Sequence, residues 1–190
     1  MGEKPSYLGL LNAIALAETR AHAYLTAWAE VTPDPEVRAV LRTVAAREGE
    51  HGMSFARRIN ELGFEVRDDD NSSVATRMDI ARSDRSDLEK LEALEVLQFC
   101  SDDEPDVFDG MFRDHSIDIQ TGALLGRYIA EERDTLRLLQ GCRAQLQTRS
   151  AAPPAGDRLA GLEEKLDAVS RAVDELRQIV CAQAMPATSV

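Results

Sequence analysis

The chain has 190 residues, 44% of them hydrophobic, which is enough for a buried core and excludes a disordered segment. Its 34 acidic residues against 22 basic ones give a formal net charge of −12, so nucleic acid and anionic membrane surfaces are excluded as expected partners. The cysteines, Cys100, Cys142 and Cys181, share no metal-binding spacing, and reduced thiols in a cytoplasmic protein are expected.

From Ser6 to about Val31 the residues Leu8, Leu11, Ala15, Glu18, His22, Leu25 and Ala29 recur by threes and fours, which predicts a long first helix with these on its inner face. The run also carries Asn12 and Arg20 and reads as neither a signal peptide nor a membrane span. Thr32-Pro33 stops it. Asp34-Pro35-Glu36 then supplies an N-cap, a proline at the first helical position and an acid in the first turn. So short a connection predicts a helical hairpin whose second helix runs from Pro35 to about Leu62 and ends at Gly63. Both helices should be roughly 40 Å long at a rise of about 1.5 Å per residue.

The polar run Asp68-Asp69-Asp70-Asn71-Ser72-Ser73 reads as a solvated crossover loop, without the glycine and terminal glutamate of a calcium loop. Val74 to Arg85 is compatible with a loop or a short helix. Ser86-Asp87-Leu88-Glu89 is a capping-box pattern that opens a short third helix through Leu91, Leu94, Leu97 and Phe99. Ser101 to Asp106 interrupts it, and Val107 to Phe112 fits a turn or two on the surface. Ser116 is expected to cap a fourth, long helix with Thr121, Leu124, Tyr128, Glu132, Thr135, Leu139 and Cys142 along one face, and His115 reads as surface.

Residues 1–147 are thus expected to form a helical bundle, 148–157, with Pro153 and Pro154, a linker, and 158–183 a C-terminal helix. In that helix Leu159, Leu162, Leu166, Val169, Val173, Leu176 and Val180 alternate spacings of three and four, the period of a coiled-coil seam. Two readings follow: an oligomerisation helix that makes the protein a homo-oligomer, or an amphipathic helix folded back on its own bundle.

The residues with chemical content lie on the inner faces. Glu48-Gly49-Glu50-His51 places a carboxylate and an imidazole on one face of helix two, among Leu41, Val44, Phe55, Ile59 and Leu62. Glu18, on helix one, falls at a similar depth in the hairpin, and Glu132 sits mid-way along helix four. A buried carboxylate needs a counter-charge, a network or a metal ion. Glutamate and histidine donors without thiolates suit iron or manganese, with zinc an alternative. The bland reading is a set of hydrogen-bonded pairs, Glu18 with His22 and Glu48 with His51, that fix register in the core. His22 reads as a supporting or core histidine rather than a ligand, and Trp28 and Tyr128 as core.

With Glu18, then Glu48-x-x-His51, then Ala130-Glu131-Glu132 in a later long helix, the chain resembles the ferritin-like superfamily, and within it the rubrerythrin-type four-helix bundles, over roughly residues 6–147. The resemblance implies an all-α, up-down four-helix bundle with a short third helix, followed by the amphipathic C-terminal helix. It implies that Glu18, Glu48, His51 and Glu132 hold one or two iron ions and carry oxidoreductase or ferroxidase chemistry. Aligning Ala46-Arg47-Glu48-Gly49-Glu50-His51 with Ala130-Glu131-Glu132-Arg133-Asp134-Thr135 puts Thr135 where a second histidine is expected. Helix three offers only Glu92 or Glu95 for the family's glutamate there. These departures point to a one-metal or degenerate site. No rubredoxin-like cysteine spacing is present, so an electron donor, if one is needed, is expected from outside. A reading of a different class is a ferritin-like scaffold without redox catalysis, acting as an oligomeric interaction or regulatory protein.

Overall fold

The computed structural model describes residues 4–68, 72–96, 115–151 and 163–173. All regular structure among them is helical: α1 (Leu8–Val31), α2 (Pro35–Glu61), α3 (Ser72–Arg82), α4 (Asp87–Ala93), α5 (Ile119–Ala151) and a further helical stretch at 163–173. No helix among the described residues is long and apolar enough to cross a membrane. The chain divides into two compact units, Met1–Gln147 and Thr148–Val190.

The α1–α2 hairpin forms where its capping residues place it. Asp34 accepts from Glu36 N at 2.8 Å and Val37 N at 3.2 Å, and Pro35 gives up no helical bond at the first position. At the far end Gly63, at φ 85, lets its own N–H reach Asn60 O while Phe64 N reaches Ile59 O, satisfying the last carbonyls.

Between α2 and α5 the chain departs from a single short third helix. The stretch that was compatible with loop or helix forms α3. Ser86 then caps α4 with both halves of the capping box, but α4 ends at Ala93 with Leu94 as its C-cap, because Glu95 takes a left-handed conformation at φ 54. Leu97, Phe99, Ser101 to Asp106 and Val107 to Phe112 lie outside the described residues. Asp87 ties this region to α1 by accepting from Trp28 Nε1 at 2.6 Å and Thr32 Oγ1 at 2.7 Å.

Asp118, not Ser116, caps α5. Its carboxylate accepts from Gln120 N and Thr121 N at 3.0 Å and from Thr121 Oγ1 at 2.7 Å, and a carboxylate also answers the helix dipole, which a hydroxyl does not. Tyr7 Oη and Arg58 Nη2 bond the same group, pinning the start of α1 and the end of α2 to the start of α5. The helix runs on through Ala151, past the expected start of the linker at 148: nothing in Thr148-Arg149-Ser150-Ala151 stops a helix, and the first proline is Pro153.

Side-chain pairs fix the helix directions in the first unit. Tyr7 meets Asp118 and Glu18 meets Tyr128, so α1 and α5 run parallel. Arg58 meets Thr121 and His51 meets Glu131, so α2 and α5 run antiparallel. A strictly alternating up-down order would set the first and last long helices antiparallel. The long connection from α2 to α5 must therefore bring the chain back to the end where α1 begins.

In the second unit, the described stretch 163–173 leaves Leu166, Val169 and Val173 exposed at 69%, 62% and 56%. The other seam residues, Leu159, Leu162, Leu176 and Val180, lie outside the described residues.

Candidate metal centre

Among the described residues, two apolar clusters fill the first unit. One joins Leu8, Leu11, Ile14 and Ala15 of α1 to Phe55 and Ile59 of α2 and Leu125, Tyr128 and Ile129 of α5. The other joins Leu25 and Trp28 to Val37, Leu41 and Val44, to Leu91 and Leu94, and to Leu139 and Cys142. Glu18, Glu48, His51 and Glu132 fall between these clusters along all three long helices. Their ligand atoms lie within 4.8 Å of one another.

Close contact between α1 and α2 makes this convergence possible. A Cβ at Gly52 would fall 2.6 Å from Thr19 Oγ1, 3.1 Å from Thr19 N and 3.3 Å from Ala15 O, so only glycine allows the helices this near. Glu18 precedes Thr19, and His51 precedes Gly52. The same approach therefore sets the depth of both side chains.

His51 organises the site. Its Nε2 pairs with Glu131 Oε2 at 2.7 Å, and Glu131 Oε1 accepts from Arg127 Nε at 3.0 Å. Its Nδ1 points among three carboxylates, 3.3 Å from Glu132 Oε1, 3.7 Å from Glu48 Oε2 and 4.0 Å from Glu18 Oε2. Nδ1 and Glu132 Oε1 are both buried without a hydrogen-bond partner. Tyr128 closes the apolar side: its hydroxyl donates to Glu18 Oε1 at 2.9 Å, and its ring meets those of His51 and Phe55 edge-on at 5.1 and 5.2 Å.

Without a metal, the cluster is held by protons. Burial, then the hydrogen bond and charge of Glu48, push the Glu18 carboxyl up to about 10. Burial opposes charge on His51, but interaction with the carboxylates of Glu132, Glu48 and Glu131 outweighs it and lifts the imidazole to about 10. Burial likewise opposes ionisation of Glu48, yet the nearby His51 and the protonated Glu18 carry it below the usual range, while burial raises Glu132. Glu18 neutral and His51 charged is thus the metal-free arrangement at neutral pH.

A divalent cation satisfies the same groups in their deprotonated forms. Ligands at about 2.0–2.2 Å stand at most about 4.4 Å apart across an ion, so this cluster needs only a small contraction to close on a first-row metal. With Nε2–H donated to Glu131, the Nδ1 lone pair faces the carboxylate oxygens, the orientation of a ligating histidine backed by a carboxylate. An imidazole donor argues against calcium or magnesium, which take oxygen ligands. The residues present therefore fit a first-row divalent ion.

Some expected residues lie elsewhere. His22 is exposed rather than inward: the buried line of α1 passes from Glu18 through Ala21 to Tyr24, Leu25 and Trp28, which turns His22 to the rim, where its Nδ1 pairs with Ala45 O at 2.6 Å. Glu92 and Glu95 are exposed. Thr135 is buried and accepts from Arg47 Nη1 at 2.9 Å. Sequence reasoning did not assign Glu131 or Arg47 a role, and took Tyr128 for core alone. The adjacent acids at 131 and 132 were the available signal, since one of two neighbours on a helix must point off the inner face. A scan against protein-family models finds no match for this chain, and neither the curated proteins nor the solved structures searched include one similar to it.

Proposed function

We propose that this chain is a ferritin-like helical bundle that binds a first-row divalent ion, iron or else manganese or zinc, through Glu18, Glu48, His51 and Glu132. The observation that carries the reading is the buried Nδ1 of His51, without a hydrogen-bond partner among three carboxylates while Nε2 is held by Glu131. The parallel run of α1 and α5 supports the ferritin-like part, because such bundles have one long crossover in place of strict alternation. A bound iron ion would supply one-electron chemistry, and an oxidoreductase of this kind would draw electrons from an external donor. The role of this chain's own residues is to hold the ion, to exclude water with Tyr128 and Phe55, and to fix the His51 tautomer through Glu131.

The second reading, a non-catalytic scaffold that works as an assembly or regulatory protein in the cytoplasm, is favoured by Thr135 and by the exposed Leu166, Val169 and Val173, which suit a homo-oligomer formed through residues 158–183. Metal analysis of protein purified without chelator separates the two. One equivalent that disappears in Glu48→Ala is expected; less than about a tenth of an equivalent, unchanged in that variant, would refute metal binding.

A further inference from the structure

The three long helices are not held together in the same way. At the α1–α2 contact a Cβ on Gly52 would fall 3.1 Å from Thr19 N, and one on Gly49 would fall 2.9 Å from Nδ1 of His22, which is itself bonded to Ala45 O. No glycine of α5 marks so close an approach. Among the described residues, a Cβ on Gly122 would come no nearer than 3.8 Å to Ile117, and one on Gly126 or Gly141 would meet nothing within 4 Å. Side chains therefore set the place of α5 along the hairpin, and two arginines of α2 clamp it in similar ways. Arg58 Nε donates to Thr121 Oγ1 and its Nη2 to Asp118 Oδ1, both at 2.9 Å. Arg47 Nη1 donates to Thr135 Oγ1 at 2.9 Å and Glu131 O at 3.0 Å, and its Nη2 to Asp134 Oδ2 at 3.0 Å.

Only the second clamp lies at the cluster. The acceptors of Arg47 all fall in 131–135, the turn that carries Glu132, and Arg47 is the chain neighbour of Glu48. Arg58 bonds the start of α5, about three helical turns away. The register of that turn matters because Glu131 and Glu132 are identical side chains with different tasks: Glu131 holds Nε2 of His51 at 2.7 Å, while Glu132 faces Nδ1 at 3.3 Å. Their chemistry cannot choose between these places. A slip of α5 by one residue, about 1.5 Å along the axis and about 100° around it, would bring the wrong carboxylate inward. A guanidinium suits the task of preventing it, since its planar fork presents donors in fixed directions, and the Arg47 side chain is only 21% exposed.

We propose that Arg47 is a positioning residue of the metal centre: through Thr135, Asp134 and the Glu131 carbonyl it fixes the register of α5 on α2, so that Glu132 faces the cluster and Glu131 stands behind His51. The inference rests on the metal-binding reading above and names what orients its α5 ligand.

The test loads the full chain with Co(II), whose visible absorption bands report the geometry of its ligands, and measures affinity by competition with a chelating dye. Arg47→Met keeps the stem but removes the donors, and is expected to weaken Co(II) binding by at least about tenfold and to alter the visible bands. Thr135→Val removes one acceptor while leaving the charge of Arg47 in place, and should change both in the same direction by a smaller amount. Arg58→Met loosens the distant clamp, and should lower the urea midpoint yet leave the bands as in the wild type. Wild-type bands and affinity in folded Arg47→Met, or the same altered bands in Arg58→Met, would overturn the proposal. Should Arg47→Met lose its helical circular dichroism, Thr135→Val decides: unaltered bands and affinity there would overturn it. Absence of Co(II) binding by the wild type, with Fe(II) and Zn(II) also failing to bind, would instead sink the metal-binding reading itself.

Discussion

Gly52→Ala tests whether the approach of α1 to α2 sets the candidate metal centre. In an open helix, replacing glycine with alanine stabilises by about 0.5–1 kcal/mol, because the unfolded chain loses freedom and the helix gains a better former. At Gly52 the added methyl would meet Thr19 Oγ1 at 2.6 Å, Thr19 N at 3.1 Å and Ala15 O at 3.3 Å. The hydroxyl can rotate away, although it would give up its 2.7 Å bond to Ala15 O; the two backbone atoms can yield only if α1 moves. Overpacking of this kind costs about 1–3 kcal/mol, which outweighs the gain in propensity.

Gly141→Ala is the matched control, since nothing lies within 4 Å of a Cβ there. Urea denaturation in chelator should show Gly52→Ala less stable than wild type by about 1–2 kcal/mol and Gly141→Ala more stable by up to about 1 kcal/mol. Because Thr19 follows Glu18, displacement of α1 should also draw that ligand away and weaken Fe(II) or Zn(II) binding. Stabilisation at both positions, or unaltered metal affinity in a destabilised Gly52→Ala, would refute the coupling between helix approach and site.

Glu131→Gln keeps the shape of the side chain but removes the charge behind His51, and should lower metal affinity by about 10–100-fold with little change in helical content; equal affinity would mean that Glu131 does not orient the ligand. Metal-free stability should depend on pH with a definite sign. Glu18 and His51 have folded values of about 10 against ordinary values of 4.5 and 6.5, so the folded state holds extra protons and stability falls as pH rises, from 4.5 upward for Glu18 and from 6.5 upward for His51, until both are lost near 10. Urea midpoints that stay flat between pH 6.5 and 8.5 in chelator would contradict those protonation states. A chain ending at Thr148 should lose its assembly in light scattering, and an unchanged mass would remove the C-terminal helix as the oligomerising element.

Glu18, Glu48, His51 and Glu132 could be picked out of the sequence because each interrupts an otherwise apolar helical stripe, and a buried charge in such a stripe demands an explanation. Their convergence depended on hairpin geometry that Thr32-Pro33-Asp34-Pro35 announces locally. His22 was misplaced because a repeat of threes and fours describes a stripe two or three residues wide, and large side chains such as Trp28 and Tyr24 decide which edge is buried. Asp118 was missed as a cap because Ser116 fits the local pattern equally well; what favours Asp118 is Arg58 and Tyr7, far away in the chain. The direction of α5 was illegible for a related reason. It is set by where a long connection ends, and no residue of the helix itself encodes that.

The same distinction explains why Thr135 was visible as a departure while Arg47 was not. A missing histidine can be noticed by aligning one helix with another, but an arginine one position from an inward glutamate looks like an ordinary solvated residue. Only the antiparallel packing of α2 on α5 carries it across to Thr135 and Asp134. Once there, its guanidinium bonds Thr135 Oγ1 and pairs with Asp134, so it ties α2 to α5 beside the cluster. His51, with Glu131 behind it, is the single imidazole among the clustered carboxylates.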